Sequence, residues 1–565
     1  MCHNTKWKKS LSKHIKHIGF LLVALIALNY LSAKVFKRFD LTEDKRYTLS
    51  NATNNIIEGV ASPLIVDVFL KGDGFPSEIK RLQTETRQLL EEFSAKNSNI
   101  VFNFINPLED ENTRENNMQQ LMQRGMTPMQ LSVQESGKSV QDIIFPWALA
   151  SYNNQTVIIP LVKNKIGETQ QELVSNSVQH LEYAFADGFS KLTKPKDKKI
   201  AILKGNGELQ DKYIADFAKK LGEYYYLAPF TLDSVQSNAE KTLAQLNDFD
   251  LIIAAKPTEA FTEEEKLVLD QFTMNGGKSL WLIDAVAMEK DSLYNEAGSN
   301  FAVSRDLNLT DFFFKYGVRI NSVLVSDLYS APIMVAAGEG NDTQFIRLQW
   351  PYAPLAAGNP NHAITNNLNL VKFDFANPMD TLKNSTKKTI LLQTSKLSKL
   401  EGVPREVSLE QATQEPDPAS FNKGNQTLAV LLEGTFTSVY DNRIKPFTLS
   451  EGKNKSIPTK MIVIADGDVI KNDINRNTPL DLGFDRSYNQ PVGNKEFLLN
   501  AVNYLLDDTG LINIRSKEIA IAFLDQEKVA DQKTTWQLLN IALPLVLLAL
   551  FGFSFNYFRK KKYSA

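Results

Sequence analysis

The chain has 565 residues, 43% of them hydrophobic and 23% charged, with Lys+Arg 63 against Asp+Glu 65. At about 150 residues per domain this predicts three or four domains that fold in water, and it excludes a disordered polymer and a polytopic membrane protein for the bulk of the chain. One cysteine, Cys2, and five histidines exclude an intrachain disulfide, a CxxC redox pair and a cysteine-rich zinc site.

Residues 1–17 carry Lys6, Lys8, Lys9, Lys13 and Lys16 and lead into an uncharged apolar run at 18–33, IGFLLVALIALNYLSA. That run reads as a membrane span over 18–36, its flanking Lys16 and Lys34 reaching back to the headgroups. A cleaved signal peptide is the competing reading, against which Leu31 and Ala33 make a poor small-x-small cleavage site.

Residues 37–195 predict a first domain. A strand at 64–70 (LIVDVFL), a helix from Ser77 with Ile79, Leu82, Leu89, Leu90 and Phe93 on one face, and a strand at 101–105 (VFNFI) make a βαβ unit. The turn Gly125-Met126-Thr127-Pro128 precedes further strands, including 155–161 (QTVIIPL). This order resembles a thioredoxin-like fold, with Thr127-Pro128 standing where such folds place a proline before the next strand. No cysteine accompanies it, so no redox role is expected. A helix over about 168–192 follows and yields to the Lys/Pro-rich boundary at 194–199. Its His180 has no second histidine in reach along the chain and reads as packed or solvated.

Residues 196–330 have the clearest pattern. A strand at 200–203 ends at Gly205-Asn206-Gly207-Glu208, and a helix follows with Ile214, Phe217, Ala218 and Leu221 on its buried face. Next come a strand at 250–255 (DLIIAA), a helix that Thr262 and Glu265 start as a capping box and Gly276-Gly277 stop, and a buried strand at 279–283 (SLWLI) ending at Asp284. Apolar strands alternating with amphipathic helices predict a parallel sheet covered on both faces, a doubly wound α/β domain of flavodoxin-like or amidotransferase-like kind. Residues 331–460 mix short β-like runs (428–432, 434–439) with polar loops and predict an insertion or a β-rich lobe. The strand at 460–465 (KMIVIA) and a helix from Asn494 burying Phe497, Leu498, Ala501, Val502 and Leu505 close the α/β domain over 461–515. A linker at 516–535 then leads to a second apolar run, 536–558 (WQLLNIALPLVLLALFGFSFNYF), and a tail at 559–565.

The second run is long enough to cross a bilayer core of about 30 Å. Arg559 to Lys562 follow it, so the positive-inside rule places both termini in the cytoplasm and everything between the spans in the periplasm. Setting the nine basic residues of the two tails aside from 63 leaves 54 Lys+Arg against 65 Asp+Glu, a net charge near −11 for the exported body. An acidic body offers no footprint for nucleic acid.

Chemistry is sparse. Gly205-Asn206-Gly207-Glu208 sits at a strand end where backbone amides can hold an anion, yet it is neither a phosphate loop nor a full GxGxxG, and a tight turn explains it. Asp466-Gly467-Asp468, with Asn472 and Asp473, clusters oxygens of the kind calcium favours but lacks EF-hand spacing, so no metal is assigned. Only His180 and His362 could supply an imidazole to the body, no GxSxG elbow occurs, and there is no ATPase motif, so energy must come from a partner. The residues best placed to face a ligand are Gly205, Gly207, Glu208, Asp284, Asp466 and Asp468. No catalytic residue and no cofactor are assigned.

Four stretches carry a resemblance: 250–277 (DLIIAAKPTEAFTEEEKLVLDQFTMNGG), 278–284 (KSLWLID), 463–468 (VIADGD) and 494–507 (NKEFLLNAVNYLLD). With the terminal apolar runs, they make the chain similar to the GldG family, the gliding-motility-associated auxiliary or substrate-binding component of an ABC transporter. The resemblance implies a non-catalytic subunit of the inner membrane, assembled with a polytopic permease and a cytoplasmic ATPase. It carries over no catalytic residue. The rival expectations are a periplasmic enzyme acting on polysaccharide through strand-end carboxylates, and a structural strut of the envelope.

Overall fold

The computed structural model describes residues 48–72, 74–135, 138–337, 344–488, 490–507, 509–516 and 526–563, together with residues 20, 21, 24, 25 and 29. The chain divides into two units, 1–518 and 519–565.

The first unit opens with helix α1 (Asn51–Glu58), strand β1 (Leu64–Val68), helix α2 (Ser77–Lys96), strand β2 (Ile100–Phe104) and helix α3 (Arg114–Gln123). Strands β3 (Met129–Glu135), β4 (Lys138–Ile144), β5 (Trp147–Tyr152) and β6 (Gln155–Pro160) and helix α4 (Gln170–Thr193) follow. A four-stranded sheet runs in the order β2-β1-β5-β6. Its β1 and β2 are parallel, while β5 is antiparallel to β1 and to β6. Among the described residues, strands β3 and β4 pair only with each other. Thr127-Pro128 stands directly before a strand, β3, as expected; residues 129–144 close on themselves as a hairpin, and the proline ahead of the next strand of the four-stranded sheet is Pro146.

Helix α4 starts where Thr169 and Glu172 exchange reciprocal cap bonds, Thr169 Oγ1 accepting from the Glu172 amide and Glu172 Oε2 from the Thr169 amide. Its buried stripe places Phe185 and Phe189 edge-on to Phe93 of α2, with centroids 6.3 and 5.6 Å apart. The helix can lie this close because Gly188 faces β6, where a Cβ would come within 2.7 Å of Ile159 Cδ1.

Beyond it come β7 (Lys199–Lys204), α5 (Asp211–Leu221), β8 (Tyr226–Thr231), α6 (Val235–Leu246), β9 (Leu251–Ala255), α7 (Glu263–Met274) and β10 (Lys278–Leu282). The strands β11 (Ser330–Ala337), β12 (Gln344–Gly358), β13 (Lys387–Gln393), β14 (Thr427–Gly434) and β15 (Thr459–Ile464) precede α8 (Asn494–Leu506). These nine strands form one path, β11-β12-β13-β14-β15-β10-β9-β7-β8, within a twelve-stranded sheet. The run β15-β10-β9-β7-β8 is parallel, and β11 to β15 pair antiparallel. Residues 331–460 are thus β-rich, and they add strands to the sheet that carries the parallel ones.

Every residue of β9 is buried, and alternate side chains enter opposite cores. Leu251 and Ile253 meet α5 and α8; Ile252 and Ala254 meet α7 and the Phe312, Phe313 and Tyr316 group. Burying each such aliphatic side chain stabilises by about 1.5–3 kcal/mol. Two expectations fail locally. The edge strand β8 and helix α6 were not foreseen, because β8 (YLAPFT) contains Pro229 and stays half exposed, which an edge tolerates and an interior strand would not. The apolar run 434–439 is no strand: β14 ends at Gly434, whose φ is +121°, and Phe436 and Val439 pack into the core from a loop in which Thr437 bridges only Lys455.

A buried ion cluster joins the segment ahead of α4, helix α8 and the last turn of this unit. Glu496 Oε1 accepts from Lys163 Nζ at 2.6 Å and from Arg515 Nη2 at 2.7 Å. Burial, with Arg515 beside it, brings the Lys163 ammonium down to about 7 against the pull of Glu496.

The second unit contains helix α9 (Gln526–Tyr563), of which Asp531–Tyr563 is long and apolar enough to cross a membrane. At 1.5 Å per residue that stretch is about 50 Å long, more than a bilayer core of roughly 30 Å. Its last turn carries Lys560, Lys561 and Lys562. The first expected span, 18–36, lies outside the described residues save for the five already named.

Candidate functional site

The parallel strands all point their carboxyl ends to one edge of the sheet, where open α/β sheets gather functional groups. At that edge β9 delivers Lys256, β10 delivers Asp284, and β15 delivers Asp466-Gly467-Asp468. Lys256 has a positive φ of 56° and is buried. Its Nζ lies 2.6 Å from Asp468 Oδ2, 2.7 Å from Glu289 Oε2 and 3.4 Å from Asp284 Oδ2. Arg305 Nη1 reaches Asp284 Oδ2 at 3.3 Å. The Gly467 amide donates to Asp284 Oδ1 at 2.5 Å. Glycine is required at 467 because the Lys256 stem lies where a Cβ would stand.

Asp466 accepts on both oxygens, from the Asp468 amide at 2.7 Å and the Asp374 amide at 2.6 Å. Burial, then the nearby Asp468, Asp284 and Asp374, pushes its carboxyl well above the usual range. Asp284 is raised in the same direction by burial, although Lys256 opposes it. Burial alone would lower Lys256; Asp468, Asp284 and Glu289 outweigh that and push it up. A lysine so held is charged and offers neither a base nor a nucleophile. The arrangement ties three strand ends together.

The structure thus brings Asp284, Asp466 and Asp468 into one cluster and leaves Gly205, Gly207 and Glu208 in a turn of their own. In that turn Gly205 and Gly207 have positive φ, 115° and 73°. The Asn206 amide, the group that could have held an anion, donates to Glu208 Oε2 at 2.8 Å. The Asn206 carbonyl accepts from the Thr258 and Glu259 amides. The turn is occupied by the chain's own carboxylate, which burial raises. His180 lies 5.3 Å from the Tyr183 ring and is pushed well below its usual value by burial, then by Lys163 and Arg515. His362 lies 5.0 Å from Tyr504 and accepts at Nδ1 from the Ile364 amide. Neither faces a nucleophile among the described residues.

Asp468 also lines a cavity of about 540 Å³ at this sheet edge. Its wall draws on Lys212 and Tyr213 of α5, on Lys372 and Asp374, and on Asp485 and Arg486. Lys372 pairs with Asp485 at 3.0 Å. Sequence reading missed Lys256, Lys372, Asp374 and Arg486. The one available signal was Lys256 itself, a charge placed directly after the apolar strand 251–255.

No curated protein matches the chain. A solved chain titled mmIFT52 N-terminal domain is 14% identical, covering 55% of this chain and 99% of its own, with a TM-score of 0.32. Residues 43–151 match a family described as a domain of unknown function, DUF7088. Residues 197–501 match the auxiliary family described as an ABC-type uncharacterized transport system, and they take in the whole parallel sheet with the cluster and cavity at its edge. As that match spans more than half of the 565 residues, the chain belongs to this family of ABC transport-system auxiliary components.

Proposed function

We propose that this accessory component is a membrane-anchored, non-catalytic subunit that works beside a polytopic permease and a cytoplasmic ATPase, in gliding motility or an associated secretion process. The family match over 197–501 is the observation that carries the reading. The apolar helix ending in Lys560 to Lys562 supports an anchor with a cytoplasmic tail. In this reading a second span precedes residue 37, both termini are cytoplasmic, and the body is periplasmic, where it binds or positions a client while its partners supply energy and pathway.

The order β2-β1-β5-β6 supports a thioredoxin-like first domain with a hairpin inserted at β3 and β4. Parallel strands with α5 and α8 on one face and α7 on the other support a doubly wound second domain. Two of the strand-end carboxylates that a polysaccharide-acting enzyme would need are committed elsewhere: Asp466 is wholly buried, and Asp284 is held by Lys256, Arg305 and Gly467.

The test is a pull-down of the full-length chain from native membranes in mild detergent. A permease and an ATPase should co-purify, and their consistent absence would refute the role. Protease added to intact spheroplasts should digest the body; a shielded body would refute the topology.

A further inference from the structure

The polar atoms lining the cavity divide into those that meet a partner at contact distance and those that do not. Lys372 meets Asp485 at 3.0 Å and Lys471 meets Asp291 at 3.2 Å. Asp468 spends Oδ2 on Lys256 at 2.6 Å, yet its side chain is nine-tenths buried and its Oδ1 has no hydrogen-bond partner among the described residues. Lys471 stands 3.9 Å from that oxygen, outside hydrogen-bond reach. Asp374 Oδ1 is buried in the same state, its backbone amide being spent on Asp466. On the basic side, Lys212, Lys290 and Arg486 line the cavity with no carboxylate within 4.0 Å of their head groups among the described residues.

Buried acceptors without donors cost about 1–3 kcal/mol each, so a donor brought within reach of either oxygen would be favoured. A plain anion would satisfy the three cations and be repelled by Asp374 and Asp468. A neutral polyol would satisfy the two acids and leave the cations as they are. One small molecule carrying both signs satisfies both sets. Tyr294 also lines the cavity and offers a ring to an apolar side chain, whereas the Tyr213 ring already has Lys212 Nζ 4.8 Å and Lys471 Nζ 5.5 Å from its centroid. The volume, about 540 Å³, falls in the roughly 300–1,000 Å³ range of small-molecule sites.

We propose that the cavity binds a zwitterion bearing a primary ammonium and a carboxylate, an amino acid or short peptide, with the ammonium at Asp374 and Asp468 and the carboxylate toward Lys290 and Arg486. The inference deepens the accessory-subunit reading and rests on it for its biological sense. Its test is separate.

Full-length protein in detergent is titrated calorimetrically with L-phenylalanine and with Ala-Phe-Ala, each also N-acetylated and C-amidated, and with maltotriose. At least one uncapped compound should bind with a Kd below about 1 mM, and each cap should weaken it about tenfold or more. Binding of phenylalanine identifies a free amino acid as the source, binding of the tripeptide alone a peptide. Asp374→Asn should abolish the discrimination against the N-acetyl form, and Arg486→Gln that against the amide, with unchanged thermal midpoints. Equal binding of capped and uncapped forms, binding of maltotriose alone, or no binding up to about 10 mM by protein that melts normally would overturn the proposal. Co-purification of transporter subunits with a failed titration refutes the ligand and leaves the accessory role standing; binding without co-purification does the reverse.

Discussion

Lys256 is the residue on which the strand ends depend, and Lys256→Met is the sharpest perturbation of it. Methionine fills the stem's space beside Gly467 but removes the ammonium that lies 2.6 Å from Asp468 and 3.4 Å from Asp284. Breaking a buried pair by deleting one partner costs about 3–5 kcal/mol, because the remaining charges stay buried. Here Arg305 at 3.3 Å and the Gly467 amide still serve Asp284, whereas Asp468 loses its closest cation, so the expected loss at pH 7 is about 3 kcal/mol.

The pH dependence fixes the cause. In the parent chain Lys256 is raised above its usual value, so its contribution is complete below about pH 10.5 and constant between pH 5 and 8. In the variant, Asp284 and Asp466, already raised by burial, take up protons more readily in the folded state. A raised carboxyl favours the folded state at low pH, so the deficit should shrink from pH 7 to pH 5. Urea denaturation of the full-length protein, followed by the fluorescence of Trp281, which is buried on β10 three residues before Asp284, reads both effects. A loss below about 1 kcal/mol at pH 7, the range of exposed pairs, or a deficit that does not shrink on acidification, would refute the reasoning.

Gly467→Ala should destabilise by about 1–3 kcal/mol, because its methyl group displaces the Lys256 stem; a neutral result in the same denaturation assay counts against the packing argument. Thr262→Ala removes the oxygen that accepts the Glu265 amide at 3.2 Å and should cost about 1 kcal/mol, read as a lower thermal midpoint. Lys163 is lowered to about 7 by burial, so the folded state binds fewer protons than the unfolded chain and stability should rise from about pH 7 toward pH 10. That rise should vanish in Lys163→Met, and its persistence there assigns it to another group. Pro544→Leu in α9 should leave membrane association unchanged, since the apolar length and Lys560 to Lys562 remain; release from membranes on carbonate washing would refute this.

Much of the architecture was legible because it is written in local periodicity and caps. The all-apolar strand Leu251–Ala255, the reciprocal caps of Thr262 and Glu265, the buried face of Asn494–Leu506 and the long apolar helix near the C-terminus each depend on residues a few positions apart. Strand Tyr226–Thr231 was hidden because its place at an edge lets it keep Pro229 and stay half exposed. Only the tertiary structure decided that residues 387–393 and 427–434 extend the parallel sheet, since pairing partners are set by long-range packing.

The same distinction runs through the site. Asp284, Asp466 and Asp468 could be named from their positions after apolar strands, and a spare amide at Asn206 could be imagined there. Whether a charge is met or left open is a matter of atoms that come from Lys256, Arg305 and Asp374, remote in sequence and adjacent only once the strands align. Electrostatic compensation acts over a few ångströms of space and has no counterpart in residue spacing, which is why composition could show how many charges the chain carries and only the fold could show which of them are paired.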